Sequence, residues 1–314
     1  MLDGFTLNPG DNPWVGLERL GALAVYDRTP PELVVPRART ADIVLTNKAR
    51  LPAVVLAQLP ALRFVAVLAT GYDVVDVGAA RARGIPVSNV PEYGTASVAQ
   101  YVFALLLELC AHVGVHDAAV HDGEWSRAAD FCFWKRPLVE LAGQTMGLVG
   151  LGRIGQAVGA IAHAFGMQVL AATGSRRAMP PFPCERVEVP ALFARADVVS
   201  LHCPLTPANA HFVNRALLAH MKPTAFLINT ARGGLVNEHD LAAALNGGQI
   251  AGAAVDVVSA EPVRPDNPLL GARNCIITPH IAWASLAARQ RLMATTVHNV
   301  EAFLAGKPIH VVNP

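Results

Sequence analysis

The sequence predicts an α/β fold of two domains with parallel sheets, one inserted into the other, and three observations carry that expectation. Short apolar runs alternate with helical patterns from end to end, a spaced-glycine turn sits near the middle, and an amphipathic helix closes the chain. Alternation of this kind calls for parallel strands covered by helices. The runs at residues 23–26, 43–45, 64–68 and 87–89 supply strands to a first domain, residues 1–95. Those at 145–149, 168–172, 198–201, 226–229, 253–257 and 276–278 supply a second, residues 96–284. The last helix is expected to start near Ser285, to carry Leu292, Met293, Thr296, Val297, Val300, Phe303 and Leu304 on one face, and to stop at Gly306 before Pro308. Residues 285–314 are read as a return to the first domain, with the active site expected in the cleft between the domains.

Composition narrows the function classes. The 314 residues are 53% apolar and 16% charged with net charge +1, a balance that speaks against disorder and against nucleic acid or an anionic membrane as partner. The apolar stretch from Val98 to Cys110 is interrupted by Gln100 and Glu108, is too short to cross a bilayer and reads as a core helix. No basic segment precedes an apolar one at the start, so a secretory signal is not expected. The five cysteines (110, 132, 184, 203 and 275) form no CxxC pair, which argues against a disulfide framework and a zinc site; no metal is expected, and a cytoplasmic location fits.

The middle turn is Gly147-Leu148-Val149-Gly150-Leu151-Gly152-Arg153-Ile154-Gly155. Gly150 permits the tight turn, Gly152 lets backbone N–H groups approach a pyrophosphate, and Gly155 lets helix and strand close together. Ile154, Ala157, Val158, Ile161, Ala162 and Phe165 follow at helical spacing up to Gly166, and a second strand comes next. The alternative is an ordinary strand-to-helix turn. Three later segments place polar groups directly after apolar strands, where open α/β sheets bind ligands. Arg232 leaves the strand at 226–229 and offers a planar fork for a carboxylate, against the alternative of a surface arginine. Asp256 and Glu261 follow the next strand, and His280 the one after. Together they supply a carboxylate clamp, a histidine and a carboxylate to orient it.

Gly-Leu-Gly-Arg-Ile-Gly at 150–155, His202-Cys203-Pro204-Leu205-Thr206, Asn229-Thr230-Ala231-Arg232-Gly233-Gly234, Asp256 through Glu261-Pro262, and Thr278-Pro279-His280 together resemble the D-isomer-specific 2-hydroxyacid dehydrogenases over nearly the whole chain. Thr46-Asn47-Lys48, Ala69-Thr70-Gly71-Tyr72-Asp73 and Asp130-Phe131-Cys132-Phe133-Trp134 resemble the glycerate dehydrogenase/hydroxypyruvate reductase branch. The resemblance implies a Rossmann-type nucleotide domain inserted into a flavodoxin-like substrate domain. It implies that Arg232 holds the substrate carboxylate, that His280 is the acid and base, and that Glu261 hydrogen-bonds His280 and favours its imidazolium. It assigns cofactor contacts to Gly150, Gly152, Arg153, Ile154, Gly155, Cys203, Pro204, Thr206, Thr230 and Asp256. Substrate contacts fall to Lys48, Thr70, Gly71, Tyr72, Arg232, His280 and Trp134. For Asp256 the alternative is a carboxylate capping a loop, and for Lys48 an exposed lysine. Cys203 is read as a small cofactor-facing residue rather than a nucleophile.

Two departures matter. The strand that usually precedes the Asp-Gly found here as Asp3-Gly4 is not evident, which predicts a trimmed start or a first sheet smaller by one edge strand. The acid that NAD-specific proteins place after the second nucleotide-domain strand is replaced by Thr173-Gly174-Ser175-Arg176-Arg177. Thr173, Ser175, Arg176 and Arg177 therefore favour NADP(H), with NAD(H) the alternative. The expected activity is reduction of small 2-keto acids such as hydroxypyruvate and glyoxylate to D-2-hydroxy acids, with D-glycerate as the reverse substrate. A phosphoglycerate dehydrogenase is the nearest enzyme alternative, and a dinucleotide-sensing protein on the same fold the alternative from another class. The aromatic loop at 131–134 reads as an interface, and the resemblance, to a family whose nucleotide domains pair around a two-fold axis, implies a homodimer in which Trp134 approaches the partner's cleft, against a locally buried anchor.

Overall fold

The computed structural model describes residues 1–173 and 180–314. The chain divides into two compact units, one of Met1–Gly94 with Trp283–Pro314 and one of Thr95–Ala282.

In the first unit β1 (Ile43–Thr46), β2 (Phe64–Val67) and β3 (Val87–Ser88) form a parallel sheet in that order. The apolar run at 23–26 does not join a regular ladder, and this corrects the expectation of a strand there. Its backbone instead flanks residues 1–4: Met1 N donates to Ala24 O, Tyr26 N to Met1 O and Gly4 N to Tyr26 O, while Leu2 N donates to Leu45 O of β1. The hydrogen bonds thus order five extended segments as second, first, third, fourth and fifth, the flavodoxin-like order. Residues 1–4 occupy the place that the sequence reading had left empty.

Alternate residues of these strands face two cores. Val44, Val65, Val67 and Val87 face one cluster, and Leu45, Phe64, Ala66 and Leu68 the other. The helix Leu286–Leu304, capped by Ser285, closes the second face with Leu292, Met293 and Val300, and Phe303 stacks on Phe64 at 4.5 Å. Leu304 is 53% exposed, so the apolar stripe ends one residue earlier than its periodicity predicts. Beyond the helix, Val312 N donates to Val87 O and the Asn313 side chain accepts from Val87 N.

The second unit holds β4 (Thr145–Val149), β5 (Gln168–Ala172), β6 (Glu185–Arg186), β7 (Val198–Leu201), β8 (Phe226–Asn229), β9 (Gly252–Val255) and β10 (Cys275–Ile277). They pair in parallel in the order β10-β9-β8-β7-β4-β5-β6. Met146, Leu148, Val169, Ala171 and Ile228 face the helices Thr95–Ala111 and Arg153–Ala164, while Val149, Leu170, Val199, Leu201 and Leu227 face Val189–Arg195 and Glu238–Asn246. Burial on both faces is what makes these strands near-continuous apolar runs. β6 escaped the sequence reading because both its residues are exposed and polar. Among the described residues no single helix is long and apolar enough to cross a membrane.

Phe64 is fully buried, and its stacking on Phe303 ties β2 to the terminal helix. Phe64→Ala is expected to destabilise the first unit by about 3–5 kcal/mol. Amide exchange should accelerate across β1–β3 while β4–β9 keep their protection.

Candidate active site

β4 lies where the strand order reverses, with β5 on one side and β7 on the other, so a crevice opens beyond its carboxyl end. Gly150 stands at that end with φ +101°, and a Cβ there would lie 2.8 Å from Cys203 N and from His202 C and O. A Cβ on Gly155 would come within 2.2 Å of Gly150 O. Neither position admits a side chain. The helix Arg153–Ala164 starts at Gly152 with no side-chain cap, so the N–H groups of its first turn and the positive end of its dipole are presented to the crevice. The Thr230 hydroxyl, just after β8, is buried with no hydrogen-bond partner among the described residues. A side-chain-free turn, an uncapped helix start and an orphaned buried hydroxyl fit a dinucleotide. Ile154 is half-buried against the core, and Arg153 is exposed. Thr173 follows β5 and is half-buried; Ser175, Arg176 and Arg177 lie outside the described residues.

The segment after β7 supports the turn. The Thr206 and Asn209 side chains form a capping box, and Asn209 Nδ2 donates to Pro204 O at 2.8 Å, which orders Pro204 to Thr206. Burial pushes the Cys203 thiol up, so it does not supply a thiolate nucleophile. His202 keeps part of its surface open yet is densely surrounded, and this desolvation lowers its pKa from the ordinary 6.5 to about 4. A 2.9 Å hydrogen bond joins its Nε2 to Ser200 Oγ. A neutral imidazole thus stands beside the turn.

Arg232, Glu261 and His280 follow the adjacent strands β8, β9 and β10. Asn229, 1% exposed, ends β8; its Oδ1 accepts from Ala231 N and its Nδ2 donates to Arg232 O. These two hydrogen bonds fix the turn after β8, and Arg232 is exposed, with Nη1 donating to Ala231 O. His280 Nδ1 donates to Glu261 Oε2 at 2.7 Å, the two side chains being 27% and 36% exposed.

Asp256 holds the turn that carries His280. Its carboxylate is 1% exposed and accepts from Thr278 Oγ1 at 2.6 Å, Ile281 N at 2.9 Å and Ala282 N at 2.8 Å, while its carbonyl accepts from His280 N. His280 sits at φ +55°, in the left-handed region. The geometry therefore gives Asp256 the loop-capping role that the sequence left as the alternative. Gly233 couples the neighbouring loops, since a Cβ on it would lie 2.0 Å from Val258 C and 2.5 Å from Ser259 N.

In the first unit, Asp3 caps the loop after β1: its carboxylate accepts from the backbone N–H groups of Asn47, Lys48 and Ala49. Lys48 itself is exposed. Asn47 Nδ2 donates to Leu68 O, Thr70 Oγ1 to Val90 O, and Asn89 Nδ2 to Thr70 O, so the buried Asn47 amide and two less buried side chains tie the strand ends around Thr70, Gly71 and Tyr72. Sequence reasoning missed Asp3, Asn229, Gly233 and Glu238 as organisers of these loops. A polar residue ending an apolar strand was the available signal for Asn229. In the second unit Phe131 is 87% and Trp134 69% exposed, which overturns the alternative of a buried anchor for this loop.

The depressed His202 pKa sets a pH dependence. The unfolded chain binds a proton near pH 6.5 that the folded chain refuses until about pH 4, so stability rises with pH across that window and is lost on acidification. On the order of 2–3 kcal/mol should disappear between these limits, and His202→Gln should flatten that part of a Tm-against-pH curve.

Residues 103–282 match the family described as D-isomer specific 2-hydroxyacid dehydrogenase, NAD binding domain. The whole chain aligns at 53% identity with 98% of a hydroxypyruvate reductase from Blautia hydrogenotrophica. A glycerate dehydrogenase from Methylorubrum extorquens is 42% identical over 91% of this chain and 90% of its own. The solved structure of an NADPH-dependent glyoxylate/hydroxypyruvate reductase from Sinorhizobium meliloti superposes with a TM-score of 0.83 at 32% identity, covering 96% of both chains. With a dinucleotide cradle at the switch point of its larger sheet and arginine, glutamate and histidine at three neighbouring strand ends, the chain belongs to the D-isomer-specific 2-hydroxyacid dehydrogenases, a family of nicotinamide-dinucleotide-dependent oxidoreductases.

Proposed function

We propose that the protein reduces small 2-keto acids, hydroxypyruvate and glyoxylate foremost, to D-2-hydroxy acids, and oxidises D-glycerate in reverse. The observation that carries this is the 2.7 Å Glu261–His280 pair on the same row of strand ends as Arg232. The names of the relatives, hydroxypyruvate reductase and glycerate dehydrogenase, support the substrate class.

Arg232 binds the substrate carboxylate through its guanidinium fork. The nicotinamide, when bound, supplies the hydride to the carbonyl carbon. His280, with Nδ1 committed to Glu261, gives the Nε2 proton to the carbonyl oxygen, and Glu261 keeps the ring oriented through the transfer. In reverse, Nε2 takes the hydroxyl proton. Gly150, Gly152, Arg153, Ile154, Gly155, Cys203, Pro204, Thr206 and Thr230 are assigned to the dinucleotide, and Lys48, Thr70, Gly71 and Tyr72 to substrate. Thr173 brings no carboxylate to repel a 2′-phosphate, and the sequence places Ser175, Arg176 and Arg177 just after it, which favours NADP(H).

A homodimer is the proposed assembly, with Trp134 brought to the partner's substrate. Support comes from exposed Phe131, Trp134, Leu138 and Val113, and from an apolar groove of about 720 Å³ between the helices Thr95–Ala111 and Arg153–Ala164. A reducing cytoplasm suits the five cysteines, all free.

Purified protein should reduce hydroxypyruvate and glyoxylate with higher kcat/KM for NADPH than for NADH, and the double change Arg176→Ala with Arg177→Ala should raise the KM of NADPH selectively. Greater efficiency with NADH in the wild type would overturn the cofactor preference alone. His280→Ala should lower kcat by about 10²–10⁴-fold with nucleotide Kd unchanged; nucleotide binding without turnover in the wild type would favour a sensor instead. Sedimentation should report a dimer, and Trp134→Ala should raise the KM of the keto acid. A monomer would end the Trp134 assignment.

A further inference from the structure

Glu261 is useful to His280 only if its carboxylate is held where Nδ1 points, yet the segment that carries it is a loop. Residues 258–267 leave β9 and run without regular structure to the turn Pro268–Gly271. The Glu261 side chain is partly exposed, and Val258 N, from the same loop, donates to its Oε1 at 3.4 Å, so the carboxylate moves with the loop backbone. Its position depends on what anchors the loop.

One side chain grips that loop at both ends. Glu238 is the first residue of the helix Glu238–Asn246. Its Oε1 accepts from Ser259 N at 2.7 Å, and its Oε2 accepts from Ser259 Oγ at 2.6 Å and from Asn267 Nδ2 at 3.1 Å. Ser259 stands two residues before Glu261, and Asn267, 9% exposed, closes the loop six residues after it. Asn267 also caps Leu269 N, and Asn267 N donates to Arg264 O, so the far end is ordered. Gly233 blocks the opposite side of the Val258–Ser259 peptide, because no Cβ fits between them. The helix does not need Glu238 as its cap, since Asn237 Oδ1 already accepts from Asp240 N. Both Glu238 oxygens instead serve as acceptors for the loop.

We infer that Glu238 is a positioning residue: by clasping Ser259 and Asn267 it closes the loop so that the Glu261 carboxylate meets His280 Nδ1. The inference rests on the acid role of His280 proposed above. Glu238→Gln swaps one acceptor oxygen for a donor that faces N–H or O–H groups, so at least one end of the clasp opens while size is kept.

Two readouts test this in the full-length protein, one of them independent of turnover. In the wild type the His280 Nδ1 proton, assigned by its absence in His280→Ala, should give a downfield resonance protected from exchange by the carboxylate bond. Glu261→Ala should abolish it, and Glu238→Gln should broaden or move it. Glu238→Gln should lower kcat for keto-acid reduction by about tenfold with KM within about twofold, and should add nothing in the Glu261→Ala background, as expected of groups acting in series. An unchanged Nδ1 signal in Glu238→Gln, or an equal loss of kcat in both backgrounds, would overturn the assignment. Should Glu238→Gln fail to fold, Ser259→Ala removes only the Oγ bond and is judged by the same two outcomes, with a smaller expected loss. A wild type that shows the Nδ1 signal but no turnover would refute the proposed function and leave the positioning role to be decided by the resonance.

Discussion

The Asp256 carboxylate is the constraint on which the catalytic end of the larger sheet depends, because it converts a β-strand terminus into a fixed turn. Two backbone amides and a hydroxyl converge on it, and with 1% exposure no water competes for its lone pairs. Those bonds compensate the left-handed backbone of His280, a conformation that costs on the order of 1 kcal/mol or more for a residue with a side chain. An imidazole held that way cannot drift with the loop. Asp256 N in turn donates to Asn229 O, so the turn of the histidine and the bend of the arginine share one buried polar seam across β8 and β9.

The same device recurs after β8 and after β1. Asn229 folds back on Ala231 and Arg232, Asp3 gathers three amides of the loop after β1, and Asn47 reaches Leu68 O. β1, β8 and β9 are apolar until a polar residue at or just after the carboxyl end: Thr46 and Asn47, Asn229, and Asp256. A buried amide or carboxylate must be fully hydrogen-bonded, and loop backbone is the nearest source of partners. Loop order is thus a by-product of satisfying the strand terminus, and the chemistry-bearing side chains are free to face outward.

Strands buried on both faces were legible in the sequence. The runs at 145–149, 168–172, 198–201 and 226–229 coincide with β4, β5, β7 and β8, since continuous apolar stretches bounded by turn residues have few other uses. The spaced glycines were legible because only glycine satisfies Gly150 and Gly155. Arg232, Glu261 and His280 stood out as polar residues at successive strand exits. What stayed hidden was pairing at a distance: Glu238 meets Ser259 from 21 residues away, and Asp3 meets Asn47 from 44. Nothing local in either segment marks its partner. The role of Asp256 divided two ways for the same reason, since a strand-end carboxylate looks alike whether it binds a ligand or a turn. Residues 1–4 were misjudged because Met1-Leu2-Asp3-Gly4 shows no alternating apolar run, although three bonds join it to residues 23–26 and one joins it to β1.

The division of the first unit into residues 1–94 and 283–314 has a consequence for how the protein is made. Chains leave the ribosome amino end first, at about 5–20 residues per second. The larger unit is continuous in sequence and has all its strands in hand before the terminal helix exists. The smaller unit waits: Phe64 and the apolar face of β2 have no Phe303, Leu292 or Val300 to cover them until the last residues emerge. During that interval the apolar face of β2 stays uncovered, so the insertion sets an order of folding as well as an architecture.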